Sequence, residues 1–569
     1  MHLEKQPQLP QKHKSTAKII VKALVASLGA FYLGYALGEL NMAQGKLNYA
    51  YDIENSDNLD IWKGMLTSSM PLGASIGCFI GGIIATKFGR RSLFITIDII
   101  AILIGFIFLI ANLPAGIIAR FMMGVIAGIN TTIVPLYVRE ITPISISGIT
   151  GCFYQGQVAI GILTSYLLGL VFPVSNDEDK LEEELQSQSN FYWRFVLFFP
   201  SFIMAIRLFF FVFIYRNDTP QFQLQQKQLE NAKKQIQQIY KPEFVEQIYK
   251  QIQDDVEAQQ NTVDTWKKVF SKQYSSRITL GVVLHFFYQF AGINAIIFYS
   301  SQIFDDSTGD KVFSNYMTVV SGAILVVFAF LSAFVSKNYG NKSILVLGNL
   351  GLFICLLAVG ICSTITRNYD DISTAWTIII IGIVFIYEII FSLSIGTITW
   401  SYNAEIQSSD KGLGLASMIN QFTSFIIGLV FPTLQNSIGI YSLLFIFAFF
   451  CLASFIYCIL FVKETRGLTQ RQIIDLFTNK EEKEQLNELQ MPQRQEIPAP
   501  SSHDFNNQNN NDKVKQIQQP KQENSPQSAQ NKQPTSNKTL ATEQEILPMI
   551  KNNSDQNEKN NSDYKEKNN

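Results

Sequence analysis

The chain has 569 residues, of which 47% are hydrophobic and 16% are charged, and its formal net charge is −1. Apolar segments dominate residues 19–462, whereas the chain from residue 479 onward contains almost none. All six cysteines lie inside apolar segments, which argues against a disulfide framework and a zinc site. Because we find no phosphate-binding loop, metal cluster or nucleophile with a base, we expect no enzyme activity, no cofactor and no nucleic-acid partner.

Twelve apolar segments have the length that a helix needs to cross a membrane, which is about 20 residues for about 30 Å of hydrocarbon. They cover residues 19–40, 61–85, 92–112, 115–138, 149–171, 194–215, 277–304, 315–336, 343–365, 374–402, 412–434 and 439–462. A polar segment separates the first six from the last six. The sequence therefore predicts an all-α membrane protein with twelve spans in two six-helix halves.

The charges between the spans predict the orientation. Residues 87–91 and 216–277 are basic, like the N-terminal tail, whereas residues 51–60 and 174–185 are acidic. Because basic loops stay in the cytoplasm and the number of spans is even, both termini are expected to be cytoplasmic. The polar start of the chain lacks the apolar core of a cleaved signal peptide, so we expect span 1 to act as an uncleaved signal.

This pattern divides the chain into a cytoplasmic tail, a six-helix half, a cytoplasmic helical insert, a second half ending in a cytoplasmic helix, and a disordered cytoplasmic tail. The five regions cover residues 1–18, 19–216, 217–276, 277–478 and 479–569. In the insert, apolar residues recur at helical spacing and the pattern breaks at Pro242, which predicts short amphipathic helices. A solvated linker is the alternative.

The region after residue 479 is rich in Asn, Gln, Lys, Glu and Ser. Such a segment buries too little apolar surface to offset the entropy lost on ordering, so disorder is expected. Its one apolar stretch, residues 541–553, arises by chance or serves as a docking motif for cytoplasmic partners of the tail.

Four short motifs stand at or inside the spans. GRR at 89–91 follows span 2, PLYVRE at 135–140 ends span 4, FAGINA at 290–295 lies in span 7, and KETRGLT at 463–469 follows span 12. With these motifs in this order, residues 19–478 resemble the sugar porter family of the major facilitator superfamily, the glucose-transporter group. The resemblance implies two halves that rock around a site at the middle of the membrane.

Glycines in span 2 fit this plan. Gly73, Gly77 and Gly81 recur every four residues and would allow close helix approach. The resemblance also implies a cytoplasmic latch of charges that holds the outward-facing state, whose members here are Arg90, Arg91, Glu140, Glu405, Glu464 and Arg466. Several of the family's charged positions are occupied instead by Thr86, Ser147, Lys337, Asn341 and Lys342. We therefore expect a thinned latch and a bias toward the inward-facing state.

A neutral sugar requires uncharged hydrogen-bonding groups and an aromatic platform for its C–H face. The positions that match the family's sugar site carry Gln155, Gln289, Asn294, Trp400 and Asn420, with Tyr288 at a further position. Gln289 and Asn294 are five residues apart, little more than one turn, so their amides are expected to converge. Each amide could instead serve as an interhelical hydrogen bond.

Some expected polar or aromatic positions are replaced, and the replacements are Tyr288, Leu325, Ser392 and Gln421. They leave the substrate open. A hexose is expected, and a polyol, an inositol or another small neutral solute is the alternative.

Four ionisable residues lie inside predicted spans. Asp98 and Arg207 are expected to be structural, near an interface or a partner. His285 is expected to be a hydrogen-bonded core residue rather than a proton shuttle. Glu388 lies one turn before Ser392 and is a candidate for supplying the polar group that Ser392 lacks.

Proton-coupled members of the family carry an acid at the position of Ala36, paired with the arginine that matches Arg120. Here Ala36 is neutral, and Glu39 lies at the predicted end of span 1. We expect Glu39 to be a solvated helix end, with a displaced proton site as the alternative. Facilitated diffusion is accordingly favoured over proton symport.

The sequence thus predicts a monomeric plasma-membrane carrier, in contact with membrane lipid, for a small neutral sugar. A transporter-like sensor that signals through the long tail is the main alternative. A carrier for a charged organic solute is another, and it would require Arg207 as a cation in the cavity.

Overall fold

The computed structural model describes residues 16–53, 58–110, 112–188, 190–261, 270, 272–367, 374–407, 410–466, 468 and 470–477. The predicted disordered tail at 479–569 and its apolar stretch at 541–553 lie outside the described residues. So do residues 1–15 of the predicted N-terminal tail.

The first half is built from helices that match the first six predicted spans. They are α1 (Thr16–Ala50), α2 (Leu59–Phe88), α3 (Arg90–Ile107), α4 (Leu113–Ile141), the short α5 (Ser147–Gly151) followed by α6 (Phe153–Gly169), α7 (Glu178–Ser187) between spans, and α8 (Asn190–Phe209), which continues as a π-helical turn (Phe210–Ile214). The first span is longer than predicted, because α1 continues for ten residues beyond residue 40.

The insert forms the predicted short helices α9 (Pro220–Gln225), α10 (Leu229–Ile239) and α11 (Pro242–Asn261). The predicted break at Pro242 is confirmed, since this proline opens α11, where its missing N–H costs nothing. The apolar faces of α10 and α11 pack on each other, and their buried cluster contains Ile236, Tyr240, Val245 and Ile248. The apolar faces of these insert helices are therefore buried mainly against each other.

The second half repeats the plan of the first. Its helices are α12 (Lys272–Phe290), α13 (Ile293–Thr308), α14 (Lys311–Asn338), α15 (Asn341–Arg367), α16 (Thr374–Leu393), α17 (Ile395–Ile406), α18 (Asp410–Ile438), α19 (Ile440–Phe461) and the terminal α20 (Gln470–Phe477). Spans 7 and 10 are each broken, into α12 with α13 and α16 with α17.

In the described part of the chain, ten helical segments are long and apolar enough to cross a membrane. The third and fifth predicted spans are not among these ten, and they correspond to α3 and α6. Helix α3 has 18 residues and includes Arg90, Arg91 and Asp98, which lower its apolar character. Helix α6 has only 17 residues and is preceded by the short α5. The predicted twelve-helix fold in two halves is confirmed.

Close packing of α2 against α4 depends on glycine, as predicted. A Cβ atom added at Gly73 would lie 1.9 Å from the carbonyl oxygen of Phe121, and one at Gly77 would lie 2.1 Å from that of Val125. Facing them on α4, a Cβ at Gly124 would lie 2.0 Å from the carbonyl oxygen of Met70. Small residues therefore let the two backbones touch, the usual solution inside a membrane.

The two halves meet along several helix pairs. Helix α1 contacts α13 where Asn41 Nδ2 donates to the carbonyl oxygen of Ile297 at 2.8 Å and to Ser300 Oγ at 2.9 Å. Helix α2 contacts α18, where Ser75 Oγ donates to the carbonyl oxygen of Met418 at 3.2 Å. A cavity also lies between the two halves.

Candidate functional site: a polar cavity between the two halves

All six residues predicted to contact the sugar line one cavity. It is lined by Leu33, Leu37, Tyr154, Gln155, Val158, Tyr288, Gln289, Asn294, Trp400, Asn420 and Gln421. Helices α1 and α6 supply one wall, and α12, α13, α17 and α18 supply the other.

The amides of the second half form one hydrogen-bonded chain, which we call the pocket amide chain. Asn294 Nδ2 lies 2.8 Å from Gln289 Oε1, and Gln289 Nε2 lies 2.8 Å from Asn420 Oδ1. At the far end Asn294 Nδ2 lies 2.6 Å from Ser424 Oγ. The predicted convergence of Gln289 and Asn294 is confirmed, and the interhelical role that the sequence left as an alternative is present as well.

Gly292 produces the local geometry of this chain. Its φ of +94° lies in the left-handed region, which a residue with a Cβ rarely adopts, and it separates α12 from α13. The break turns Asn294 back toward Gln289, so that two residues on consecutive helices share one hydrogen bond. The FAGINA motif thus contains both Asn294 and the glycine turn that orients the Asn294 side chain.

Aromatic rings surround Trp400. The ring centroid of His285 lies 4.6 Å from that of Trp400, and those of Tyr154 and Tyr288 lie 5.9 and 6.2 Å away. Because Tyr154 comes from the first half, Trp400 is held between the halves. The sequence reasoning missed Tyr154, although it directly precedes Gln155, and it missed Ser424.

His285 is fully buried and contacts two amides, as expected of a hydrogen-bonded core residue. Its Nδ1 lies 3.2 Å from Asn420 Nδ2 and its Nε2 lies 3.1 Å from Asn403 Nδ2. It therefore connects the pocket amide chain to a second group of amides farther along α17.

The replaced positions lie around the same space. Gln421 lines the main cavity, whereas Leu325 and Ser392 line an adjoining cavity that shares Gln155 and Asn294 with it. The proposal that Glu388 serves in place of Ser392 does not fit this geometry. Among the described residues, the Glu388 carboxylate accepts a hydrogen bond from Ser321 Oγ, and Glu388 lines neither cavity.

The expectation that Glu39 is a solvated helix end is wrong. Its side chain is fully enclosed and its Oε1 lies 2.5 Å from Arg120 Nη1. The same Nη1 lies 2.7 Å from the carbonyl oxygen of Ala36. The physical reason is the length of α1, which continues to Ala50 and places Glu39 well inside the helix.

A second buried ion pair joins α3 and α8. The Arg207 guanidinium contacts both carboxylate oxygens of Asp98, and its Nη1 donates to Asn130 Oδ1 at 2.7 Å. The expectation that Asp98 and Arg207 have nearby partners is confirmed, since each is the partner of the other. A Cβ at Gly29 would lie 2.2 Å from Arg207 Nη1, so this glycine provides the space for the guanidinium.

Three predicted latch residues come together at the start of α3. Arg90 Nη2 pairs with Glu140 Oε1 at 2.8 Å, and Thr219 Oγ1 donates to Glu140 Oε2 at 2.5 Å. The N–H groups of Arg90 and Arg91 donate to the two carboxylate oxygens of Asp218 at 3.2 and 3.1 Å. Asp218 thus supplies negative charge at a helix N-terminus, where it is stabilising.

The other three come together at the start of α15, in the same arrangement. Asn341 Nδ2 and Thr465 Oγ1 donate to Glu405 Oε2 at 3.0 and 2.7 Å. The N–H groups of Asn341 and Lys342 donate to the carboxylate of Glu464 at 3.0 and 3.1 Å.

Arg466 donates from Nη1 to the carbonyl oxygen of Asn338 at 2.7 Å, next to this second group. The six residues therefore form two similar groups, one in each half. Asn341 occupies the place that Arg90 has in the first group, which is the departure that the sequence indicated. The roles of Asp218, Thr219 and Thr465 were missed, although Thr465 lies inside the KETRGLT motif.

In the part of the chain that the structure describes, no group of three or more His, Cys, Asp or Glu side chains is placed to hold a metal ion. The chemistry that the site offers is reversible hydrogen bonding and ring stacking.

The sequence matches a known family over most of its length. The model of the family described as "Sugar (and other) transporter" matches residues 22–477. The solute carrier family 2 facilitated glucose transporter member 3 of Canis lupus familiaris is 26% identical over 488 residues, covering 82% of this chain and 93% of that protein. The plastidic glucose transporter 4 of Arabidopsis thaliana is 30% identical over 477 residues, covering 82% of this chain and 81% of that protein.

Solved structures share the fold. The major facilitator superfamily proton:xylose symporter XylE bound to 6-bromo-6-deoxy-D-glucose is similar with a TM-score of 0.69 and 19% identity, covering 81% of this chain and 100% of that one. The inward-open xylose transporter XylE from E. coli is similar with a TM-score of 0.62 and 21% identity, covering 80% and 99%.

Two six-helix halves around a polar cavity define an integral membrane protein with the major facilitator fold of these solved structures. The family match over residues 22–477 goes further, and the chain belongs to the Sugar (and other) transporter family.

Proposed function

We propose that the protein carries a hexose or a similar small neutral sugar across the membrane by alternating access. The observation that carries this proposal is the pocket amide chain beside Trp400, in a cavity between the two halves. Amides offer donors and acceptors to hydroxyl groups, and an indole face packs against C–H groups. Gln155 lines the cavity from the other half, so a bound sugar would contact both moving parts.

The cavity lining supports an uncharged substrate. Its residues are aliphatic, aromatic or amide-bearing. Arg207, the cation that a charged organic solute would require, is buried in its pair with Asp98 instead. This placement disfavours the charged-solute alternative.

The names of the relatives support a monosaccharide. Two are described as glucose transporters, and the structural neighbour bound to a glucose derivative is described as a xylose symporter. A polyol or an inositol remains the alternative because Leu325, Ser392 and Gln421 differ from the family pattern.

We further propose that transport is coupled to protons through Glu39 and Arg120. The guanidinium lies against the carbonyl oxygen of Ala36, where coupled members carry their acid, and Glu39 reaches it from one turn farther along α1. Protonation of the Glu39 carboxylate would remove the charge attraction and release Arg120, which couples proton binding to helix movement. Facilitated diffusion, which the sequence favoured because Ala36 is neutral and Glu39 was expected to be a solvated helix end, becomes the alternative.

Counterflow tests the carrier proposal. Liposomes that contain the full-length protein and unlabelled glucose should take up labelled glucose transiently above equilibrium. Competition by xylose, sorbitol and inositol then identifies the substrate class. Trp400→Ala should abolish the overshoot, whereas the control Trp376→Ala, an indole 37% exposed on the helix surface, should retain it. No counterflow with any of these solutes would contradict the proposal.

We propose a monomer in the plasma membrane. We also propose that both termini are cytoplasmic, and this orientation is supported by the basic loops and the even number of spans. Removing residues 480–569 separates a carrier from a sensor. Unchanged uptake without the tail supports a carrier, whereas sugar binding without uptake in the full-length chain supports the sensor.

A further inference from the structure

His285 contacts two groups of amides, and its ring cannot have the same hydrogen-bonding role, donor or acceptor, toward both. Asn420 Nδ2 lies 3.2 Å from one ring nitrogen, Nδ1, and Asn403 Nδ2 lies 3.1 Å from the other, Nε2. A neutral imidazole carries one N–H, so it donates at one nitrogen and accepts at the other. One of the two amides must therefore turn its oxygen toward the ring.

A main-chain carbonyl group determines which of the two amides has its oxygen toward the ring. Gln407 Nε2 donates to the carbonyl oxygen of Arg277 at 3.1 Å, and a carbonyl oxygen can only accept. The same Nε2 lies 3.1 Å from Asn403 Oδ1. Asn403 must then present its NH₂ group to His285 Nε2, which accepts, and the ring proton resides on Nδ1. An imidazolium is excluded by the same contact, because it would require an oxygen on both sides.

The direction is passed on into the pocket. With the proton on Nδ1, the oxygen and nitrogen of the Asn420 amide must exchange places relative to the arrangement described for the site, so that the oxygen accepts from His285. The Asn420 NH₂ group then faces Gln289, 2.8 Å away, whose amide must turn over as well to accept through its oxygen. The turned Gln289 NH₂ group requires Asn294 to exchange its oxygen and nitrogen in the same way, so that the Asn294 oxygen accepts from Gln289. A competing contact, from Asn420 Nδ2 to the carbonyl oxygen of His285, is longer at 3.4 Å and correspondingly weaker.

The last amide is the one that matters for the substrate. One end of Asn294 contacts both Gln289 and Ser424, at 2.8 and 2.6 Å, and Asn294 lines the cavity. When that end is the oxygen, the Ser424 hydroxyl donates to it and the Asn294 NH₂ group is left for the sugar.

We propose that His285 is a positioning residue whose Nδ1–H tautomer sets the direction of the pocket amide chain, so that Asn294 presents a hydrogen-bond donor to the sugar. The final step rests on the proposed sugar site, whereas the tautomer is a property of the protein alone. In this proposal the preference of Asn294 for a sugar oxygen is determined by the main-chain carbonyl group of Arg277, near the start of α12.

Nitrogen NMR of histidine measures the tautomer without any sugar. The chain has four histidines, and replacing His2, His13 and His503 by Gln leaves His285 as the single signal. In ¹⁵N-histidine-labelled, full-length protein in lipid at neutral pH, we expect a protonated Nδ1 and an unprotonated Nε2. A protonated Nε2, or two protonated nitrogens, would overturn the proposal.

Asn403→Asp tests the origin of the direction. A carboxylate only accepts, so it should move a proton to Nε2 and weaken glucose binding by about tenfold or more, while the exposed control Asn231→Asp changes neither. An unchanged spectrum in Asn403→Asp would overturn the role of Asn403.

Deoxy and fluoro sugars test the donor at Asn294 in the unaltered protein, since fluorine accepts but does not donate. The glucose position that faces Asn294 should tolerate fluorine and not hydrogen, and the reverse would overturn the proposal. If no sugar binds although the spectrum has the expected tautomer, the proposed substrate fails while the direction of the amide chain stands.

Discussion

The two halves of the molecule satisfy their buried polar groups with different chemistry. In the first half, full charges pair inside the bundle, Glu39 with Arg120 and Asp98 with Arg207. In the second half, the cavity wall consists of the pocket amide chain and the His285 ring, which are neutral, and the buried carboxylate Glu388 contacts the Ser321 hydroxyl outside the cavity lining. The difference suggests that the ion pairs of the first half, which we call the charged half, respond to protons. The pocket amide chain of the second half, which we call the neutral half, would then bind the sugar.

The residues of the predicted latch repeat the same difference. Arg90 meets Glu140 in the first half, and Asn341 meets Glu405 in the second, in otherwise matching surroundings. The internal repeat has thus kept the geometry and replaced a cation by an amide. A thinned latch that biases the protein inward remains a prediction.

The largest effect should come from breaking the buried charge of the first half. Asp98→Leu leaves the Arg207 guanidinium buried without its counter-charge, which should lower the free energy of unfolding by about 3–5 kcal/mol. Thermal unfolding in detergent measures this. Asn349→Leu, which removes a neutral buried hydrogen bond in the second half, should cost about 1 kcal/mol.

The double variant Asp98→Leu with Arg207→Met is the control, and it should recover most of the loss because no charge is left unpaired. Equal losses in the Asp98 and Asn349 variants would contradict the contrast between the halves.

The neutral half should respond in sugar affinity rather than in stability. Gln289→Leu interrupts the pocket amide chain at its centre, and we expect sugar binding to weaken by about tenfold, or about 1.4 kcal/mol. Equilibrium binding to purified protein measures it. Gln44→Leu, a buried amide of the first half outside the cavity lining, serves as the control. A similar loss in both variants would mean that the amides act only through stability.

Restoring the missing latch charge should shift the conformational balance moderately. Asn341→Arg would place a cation against Glu405, as Arg90 does against Glu140, and favour the state in which the latch is closed by about threefold to tenfold. Cysteine labelling from the cytoplasmic side should then slow. Faster labelling would mean that the amide, not the arginine, favours closure.

The smallest effect is expected in the insert. Lys233 and Glu246 pair at 2.7 Å on α10 and α11, and the hydrogen bond and charge of Glu246 raise the pKa of Lys233. Because the pair is exposed, it contributes little, and on the alkaline side that contribution is lost as the pH rises through the raised pKa of Lys233. Lys233→Met should leave uptake unchanged, and a large loss of uptake would give the insert a role in transport.

Sequence reasoning worked where one local motif carries both a side chain and its geometry. FAGINA supplies Asn294 and the Gly292 turn together, so the convergence with Gln289 was predictable. It failed for Glu39 because hydropathy ends span 1 at residue 40, whereas packing extends α1 to Ala50. The contacts of Tyr154 and His285 join distant helices, and no local pattern encodes them.

The most direct test of the division between the halves is sugar accumulation by proteoliposomes under an imposed inward proton gradient, compared between the natural protein and Glu39→Gln. The account predicts accumulation above equilibrium by the natural protein. It also predicts that Glu39→Gln loses accumulation but keeps gradient-independent counterflow, since the neutral half still binds the sugar. Uptake by the natural protein that only equilibrates, or equal accumulation by Glu39→Gln, would contradict it.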